Sequence, residues 1–66
     1  MPRAFTRAQA LQNRAFLLAL GRTGNAREAA RRTDIAYGTM QHRRRVQPDF
    51  AQAWDAALAT AQARLA

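Results

Sequence analysis

Residues 25–45 read Asn25-Ala-Arg-Glu-Ala-Ala-Arg-Arg-Thr-Asp-Ile35-Ala-Tyr-Gly-Thr-Met40-Gln-His-Arg-Arg-Arg45. Asn25 is a strong helix N-cap, because its short side chain accepts a backbone N–H that the first turn leaves free. Glu28, three residues on, has the spacing to bond back to the Asn25 amide. The pattern predicts a short helix over 26–32 with Ala29 and Ala30 facing inward, small enough for the next helix to cross close by. Thr33 and Asp34 make the turn. Such a turn needs a positive φ, which Asp tolerates better than most non-glycine residues. Ile35 then plugs the space between this helix and a third one over 36–45, which turns Met40 inward and ends in Arg43, Arg44 and Arg45. A helix-turn-helix over 25–45 with a polar, cationic second helix has the form that enters a DNA groove.

The flanks read as longer helices. Thr6 caps a helix over 7–20, and Gln9 completes a capping-box spacing. Its apolar positions Ala8, Leu11, Ala15 and Leu18 recur at helical intervals, widened by Phe16, Leu17 and Leu20. Gly21 is expected to stop it in a left-handed conformation. Pro48 and Asp49 suit the opening of a fourth helix. That helix carries Phe50, Trp54, Ala57, Leu58, Ala61 and Leu65 on one stripe, with Phe50, Trp54 and Leu58 packing on the first helix. The expectation is an all-α, four-helix domain over 1–66. Residues 1–5 form a loose arm in which Pro2 and Arg3 reach outward, and 48–66 form a C-terminal packing helix able to serve in oligomerisation.

Composition narrows the function. The chain has 66 residues, a size near the lower limit for independent folding, and 17 of its 32 hydrophobic residues are alanine. It has no cysteine and one histidine, His42, which excludes disulfides and ordinary zinc fingers. No apolar run approaches the ~18 residues that span a membrane; a cytoplasmic location, in a bacterial cell, is the expectation. Residues 1–47 hold ten arginines against Glu28 and Asp34, a net of +8; residues 48–66 hold Arg64 against Asp49 and Asp55, a net of −1. A basic front and a near-neutral last helix imply two faces with different tasks. The four acids form no pair with metal-binding or acid–base spacing, and no glycine-rich phosphate loop is present. No enzymatic activity, cofactor or metal is expected.

The candidate DNA-binding residues are Arg22, Thr23, Arg27, Tyr37, Gly38, Thr39, Gln41, His42, Arg43, Arg44 and Arg45. Three adjacent arginines at about 100° per residue fan across a wide arc, some toward phosphate and some toward a base edge. Removing all three is expected to abolish DNA binding without unfolding the domain. Gln41 suits adenine; Thr39 and Tyr37 suit phosphate. Gly38 either lets the backbone approach DNA or is a tolerated surface glycine, and His42 has the plainer reading of a polar surface residue. Arg22, Thr23 and Arg27 lie around the start of the second helix, where free N–H groups favour phosphate; simple turn and cap chemistry is the other reading.

Gly24-Asn25, Ala29-Ala30, Ile35, Met40, the arginine run, Pro48-Asp49-Phe50 and Ala53-Trp54-Asp55-Ala56-Ala57-Leu58 together resemble the helix-turn-helix domain of small terminase subunits. Those proteins serve tailed bacteriophages and gene transfer agents, and the likeness spans residues 16–58. It implies a non-enzymatic protein that binds double-stranded DNA for packaging, assembles as a homo-oligomer and presents DNA to a large terminase subunit. Two alternatives remain open: a helix-turn-helix transcriptional regulator, and a basic protein-interaction domain docking an acidic partner.

Overall fold

The computed structural model describes residues 5–65, so Pro2 and Arg3 of the expected arm lie outside the described residues. Four helices follow in order: α1 (Arg7–Thr23), α2 (Ala26–Arg32), α3 (Tyr37–Val46) and α4 (Pro48–Leu65). The fold is all-α, with no strand among the described residues. The long helices α1 and α4 pack along each other, α2 packs on α1, and α3 joins α2 to α4.

The ends of α1 and the α2–α3 turn have local causes, whereas α3 starts after Ala36 without a side-chain cap. The Thr6 hydroxyl accepts the Gln9 N–H at 3.1 Å while the Gln9 side chain accepts the Thr6 N–H at 3.0 Å, a complete capping box. The end of α1 differs from expectation: Gly21 stays helical, and the left-handed residue is Gly24, φ 65°, whose N–H donates to the Leu20 carbonyl at 2.8 Å. The Asn25 cap explains the shift. The chain must reverse immediately before it, so the glycine adjacent to the cap takes the positive φ. The α2–α3 turn follows the expected chemistry. Asp34 has φ 57°, its N–H donates to the Arg31 carbonyl at 3.2 Å, and the Ile35 N–H donates to the Ala30 carbonyl at 3.0 Å. This pair of bonds is a Schellman closure with aspartate in the place glycine usually holds.

The core is built on a different stripe of α1 from the one its alanines and leucines mark. Asn13, Phe16 and Leu20 are buried, whereas Leu11 and Leu18 are 62% and 57% exposed and Ala8 and Ala15 are exposed too. Both stripes have helical spacing, and the rings decide between them. Phe16 lies 5.0 Å from Trp54 and 6.2 Å from Phe50, and Phe50 meets Trp54 edge-on at 6.0 Å. Aromatic side chains bury more area than any others in this chain, so α1 rotates to present Phe16 to α4. Phe5 joins them edge-on at 5.9 Å from Phe50, so the last residue of the expected arm is packed, not loose.

Ala29, Ala30 and Met40 are buried as expected, and Ile35 packs half-buried against them. On α4, Phe50, Trp54 and Ala61 are buried and Leu58 is half-buried. Leu65 falls beside Gly24, where α1 has ended, and stays 78% exposed.

Gly21 inside α1 and Gly24 just past its end make the corrected boundary testable. A Cβ at Gly21 would meet only the Ala57 carbonyl oxygen, at 3.9 Å, whereas one at Gly24 would lie 3.3 Å from the Ala61 Cβ on a positive-φ backbone. Gly21→Ala should therefore stabilise by up to ~1 kcal/mol, and Gly24→Ala should destabilise by roughly 1–2 kcal/mol or more. Urea denaturation of the two variants checks this; the reverse order would restore Gly21 as the end of the helix.

Candidate nucleic-acid interface

The polar helix α3 has one buried side chain, Met40, and that residue sets the orientation of all the others. Taking about 100° per residue, Arg43 and Arg44 fall within about 60° of Met40 around the axis, one on each side, and Arg45 falls about 140° away. The three arginines consequently separate. The half-buried Arg43 donates from Nη1 to the Asn13 Oδ1 at 2.9 Å and from Nη2 to the Gln12 Oε1 at 3.0 Å, tying α3 to α1. Its guanidinium also lies 5.8 Å from the Phe5 ring centre.

Arg44 turns the other way. Its Nη1 reaches the Asp55 carboxylate at 3.0 Å and the Ala51 carbonyl at 3.2 Å, with the guanidinium 5.2 Å from the Trp54 ring centre. Arg45 is exposed and makes no bond of this kind among the described residues. Removing all three would therefore also remove the contacts by which Arg43 and Arg44 tie α3 to α1 and α4.

The side of α3 facing away from Met40 carries Gly38, Gln41, His42 and Arg45, all exposed and all on one stripe of about 100°. It contains no acid. On one flank stands half-buried Tyr37, with the Arg27 guanidinium 4.7 Å from its ring centre. This contact joins the first turn of α2 to that of α3 and holds a cation over Tyr37. On the other flank Thr39 and His42 border a cleft of about 330 Å³ that reaches Phe5 and Gln9 of the neighbouring segment.

Seven of the eleven candidates, Arg27, Tyr37, Gly38, Thr39, Gln41, His42 and Arg45, thus share one surface. Arg43 and Arg44 turn back toward α1 and α4, with Arg43 still lining the cleft beside Thr39 and His42. Thr23 is engaged locally: its hydroxyl donates to the Ala19 carbonyl at 2.9 Å and accepts the Asn25 N–H at 3.2 Å. Arg22 lies elsewhere, in a cleft between α1 and α4 shared with Thr60 and Arg64.

Glu28 departs from its expected use. Asn25 accepts the Glu28 N–H at 3.0 Å, as a cap should. The Glu28 carboxylate, however, takes hydrogen bonds from Arg31 and Arg32 and leaves the Asn25 N–H to Thr23. Charge-assisted bonds are stronger than a bond to a neutral amide, so the guanidinium groups win. The hydrogen bond from Arg31 holds the Glu28 carboxyl below the usual carboxylate range, and Glu28 in turn raises Arg31. Arg31 and Arg32 are therefore partly neutralised, whereas Arg27 and Arg45 pair with no carboxylate among the described residues.

Sequence reasoning missed Asn13 and Gln12 as the seat of Arg43, and Asp55 as the partner of Arg44. The signal for Asn13 was its spacing of three from Phe16 and seven from Leu20, a polar residue in an apolar register. Replacing Arg43 by Ala leaves the buried Asn13 without its donor and should lower stability by roughly 1–3 kcal/mol. Arg44→Ala should lower it less, because the exposed part of its ion pair is worth at most about 1 kcal/mol. Arg45→Ala should change it by less than about 0.5 kcal/mol. Thermal unfolding by circular dichroism ranks the three, and equal values would remove the distinction between bracing and outward arginines. Comparisons of the chain with protein-family models, with curated proteins and with solved structures find no match.

Proposed function

We propose that this domain binds double-stranded DNA by laying the Gly38–Gln41–His42–Arg45 stripe of α3 into the major groove. One observation carries the reading: α3 keeps an outward stripe rich in hydrogen-bonding groups and free of acid, while its other two arginines are turned inward. The major groove is about 12 Å wide and admits a helix of this kind. Arg45 supplies a planar fork for guanine or phosphate, Gln41 a bidentate donor and acceptor for adenine, and Arg27 beside Tyr37 a phosphate contact.

The likeness of residues 16–58 to small terminase subunits extends the proposal to genome packaging, with the chain handing DNA to a larger catalytic partner. A packaging protein that loads bulk DNA binds unrelated duplexes with similar affinity, whereas a transcriptional regulator prefers its site by ~10³-fold or more.

The test uses residues that do not brace the fold. Gln41→Ala, His42→Ala and Arg45→Ala combined should leave the circular dichroism spectrum and melting unchanged and weaken binding to a fluorescent duplex at least tenfold. The slope of log affinity against log salt should become shallower by about one. Unchanged affinity in that folded variant refutes the proposal. Binding across several unrelated duplexes in the same assay separates packaging from regulation.

Gly38 gives an independent check. A Cβ there meets nothing within 4 Å, so Gly38→Ala should stabilise the free protein by up to ~1 kcal/mol. If the α3 backbone lies against DNA, the same variant binds more weakly. A gain in stability with unaltered binding would make Gly38 an ordinary surface residue.

A further inference from the structure

The mis-registered stripe of α1 leaves a feature that DNA binding does not use. Two clefts lie between α1 and α4, of about 380 Å³ and about 300 Å³, and both are lined by Leu17 and Leu18. Together they make one furrow running along α1 from Ala10 to Arg22, about 18 Å or three helical turns. Leu17, Leu18, Phe50 and Ala57 give it an apolar lining, and no residue of α2 or α3 lines it. Leu11, on the same side of α1 as Leu18, continues the exposed apolar line.

The charges around the furrow are one-sided. Arg14, Arg22 and Arg64 line it, against a single acid, Asp49. None of these three arginines takes part in an ion pair or stacks on a ring among the described residues. An apolar trough three turns long with cationic sides complements a rod that is apolar along one stripe and acidic beside it. We infer that this furrow docks an acidic amphipathic helix from a partner protein.

Other occupants fit less well. DNA supplies the negative charge but has no apolar ridge for Leu17 and Leu18. A lipid surface is broad and does not fill a trough between two helices. A second copy of this chain carries a net charge of +7, and its acids Glu28 and Asp55 already serve Arg31, Arg32 and Arg44. Only Asp34 and Asp49 are left, on different segments, so the described chain has no acidic helix to offer itself. The inference stands apart from DNA binding and survives its failure.

The probe is a displayed library of helical peptides, randomised on all faces and selected on the Gln41→Ala/His42→Ala/Arg45→Ala protein, so that acidic mimics of DNA on α3 are not enriched. The expected winners carry large apolar residues at i, i+3 or i+4, and i+7, flanked by Asp and Glu. A winning peptide should shift the amide resonances of residues 10–22 and 57–64 and leave those of α3 unmoved. Leu18→Asp and the double variant Arg14→Glu/Arg64→Glu change exposed side chains only, and each should weaken that peptide at least tenfold in a protein of unchanged circular dichroism. The double variant should also bind a version with Lys in place of the acids better than the original.

Four results overturn the inference: no enrichment, winners that are basic or neutral, resonance shifts confined to α3, or full affinity in Leu18→Asp. Self-association that Leu18→Asp abolishes would assign the furrow to a second copy instead. Leu18-dependent binding to phosphatidylglycerol vesicles without any peptide preference would assign it to a membrane.

Discussion

The arrangement depends on how α3 is held. With Met40 as its one fully buried side chain, α3 gains roughly 1.5–3 kcal/mol from burial there, too little to fix a ten-residue helix at a defined tilt. Half-buried Tyr37, packed against the core, adds to this, and so do Arg43 and Arg44. The two arginines flank Met40, one bonded to α1 through Asn13 and Gln12 and the other to α4 through Asp55 and Ala51. The two contacts differ in kind. The Arg43–Asn13 bond is partly buried and charge-assisted, worth roughly 1.5–3 kcal/mol by type. The Arg44–Asp55 pair has its carboxylate 63% exposed and is largely screened by water. Arg44 contributes more by covering Trp54 with its planar head and alkyl stem.

This bracing splits the arginine run into two inner residues that hold α3 and one outer residue left exposed. Helical geometry sends consecutive residues in different directions, so a run of three cations at the end of a short helix cannot act as one patch. The inner two replace hydrophobic contacts that a chain rich in alanine lacks. The outer one stays available, together with Arg27, which Tyr37 positions without neutralising it. An aromatic face steadies a guanidinium and leaves its N–H fork free, whereas a carboxylate occupies that fork, as Glu28 does for Arg31 and Arg32.

Much of the backbone was legible in the sequence because capping chemistry is local. Thr6 with Gln9, Asn25 with the Glu28 amide, the positive φ of Asp34 and the opening of α4 at Pro48 each depend on residues within a few positions of one another. The rotation of α1 was not legible. Two stripes of nearly equal apolar character compete there, and only the positions of Phe50 and Trp54 across the core select the one holding Phe16. The end of α1 was misplaced by one turn because Gly21 and Gly24 are both competent and the Asn25 cap chooses between them. The fate of Arg43 and Arg44 needed tertiary partners 30 and 11 residues away in sequence, Asn13 and Asp55, and no local rule supplies those.

The rotation of α1 also determines the surface. Had Leu11 and Leu18 faced α4, the outer side of α1 would have carried Asn13 and Phe16, and Arg43 would have had no buried acceptor to grip. Presenting Phe16 inward instead brings Asn13 within reach of α3 and leaves Leu11 exposed on the outer side of α1 and Leu18 exposed at the edge of the α1–α4 clefts. Anchoring α3 and exposing an apolar line between Arg14 and Arg22 are thus two results of a single choice of helix phase. A helix of this length cannot bury both stripes against one neighbour, so strengthening the support of one face necessarily creates the other.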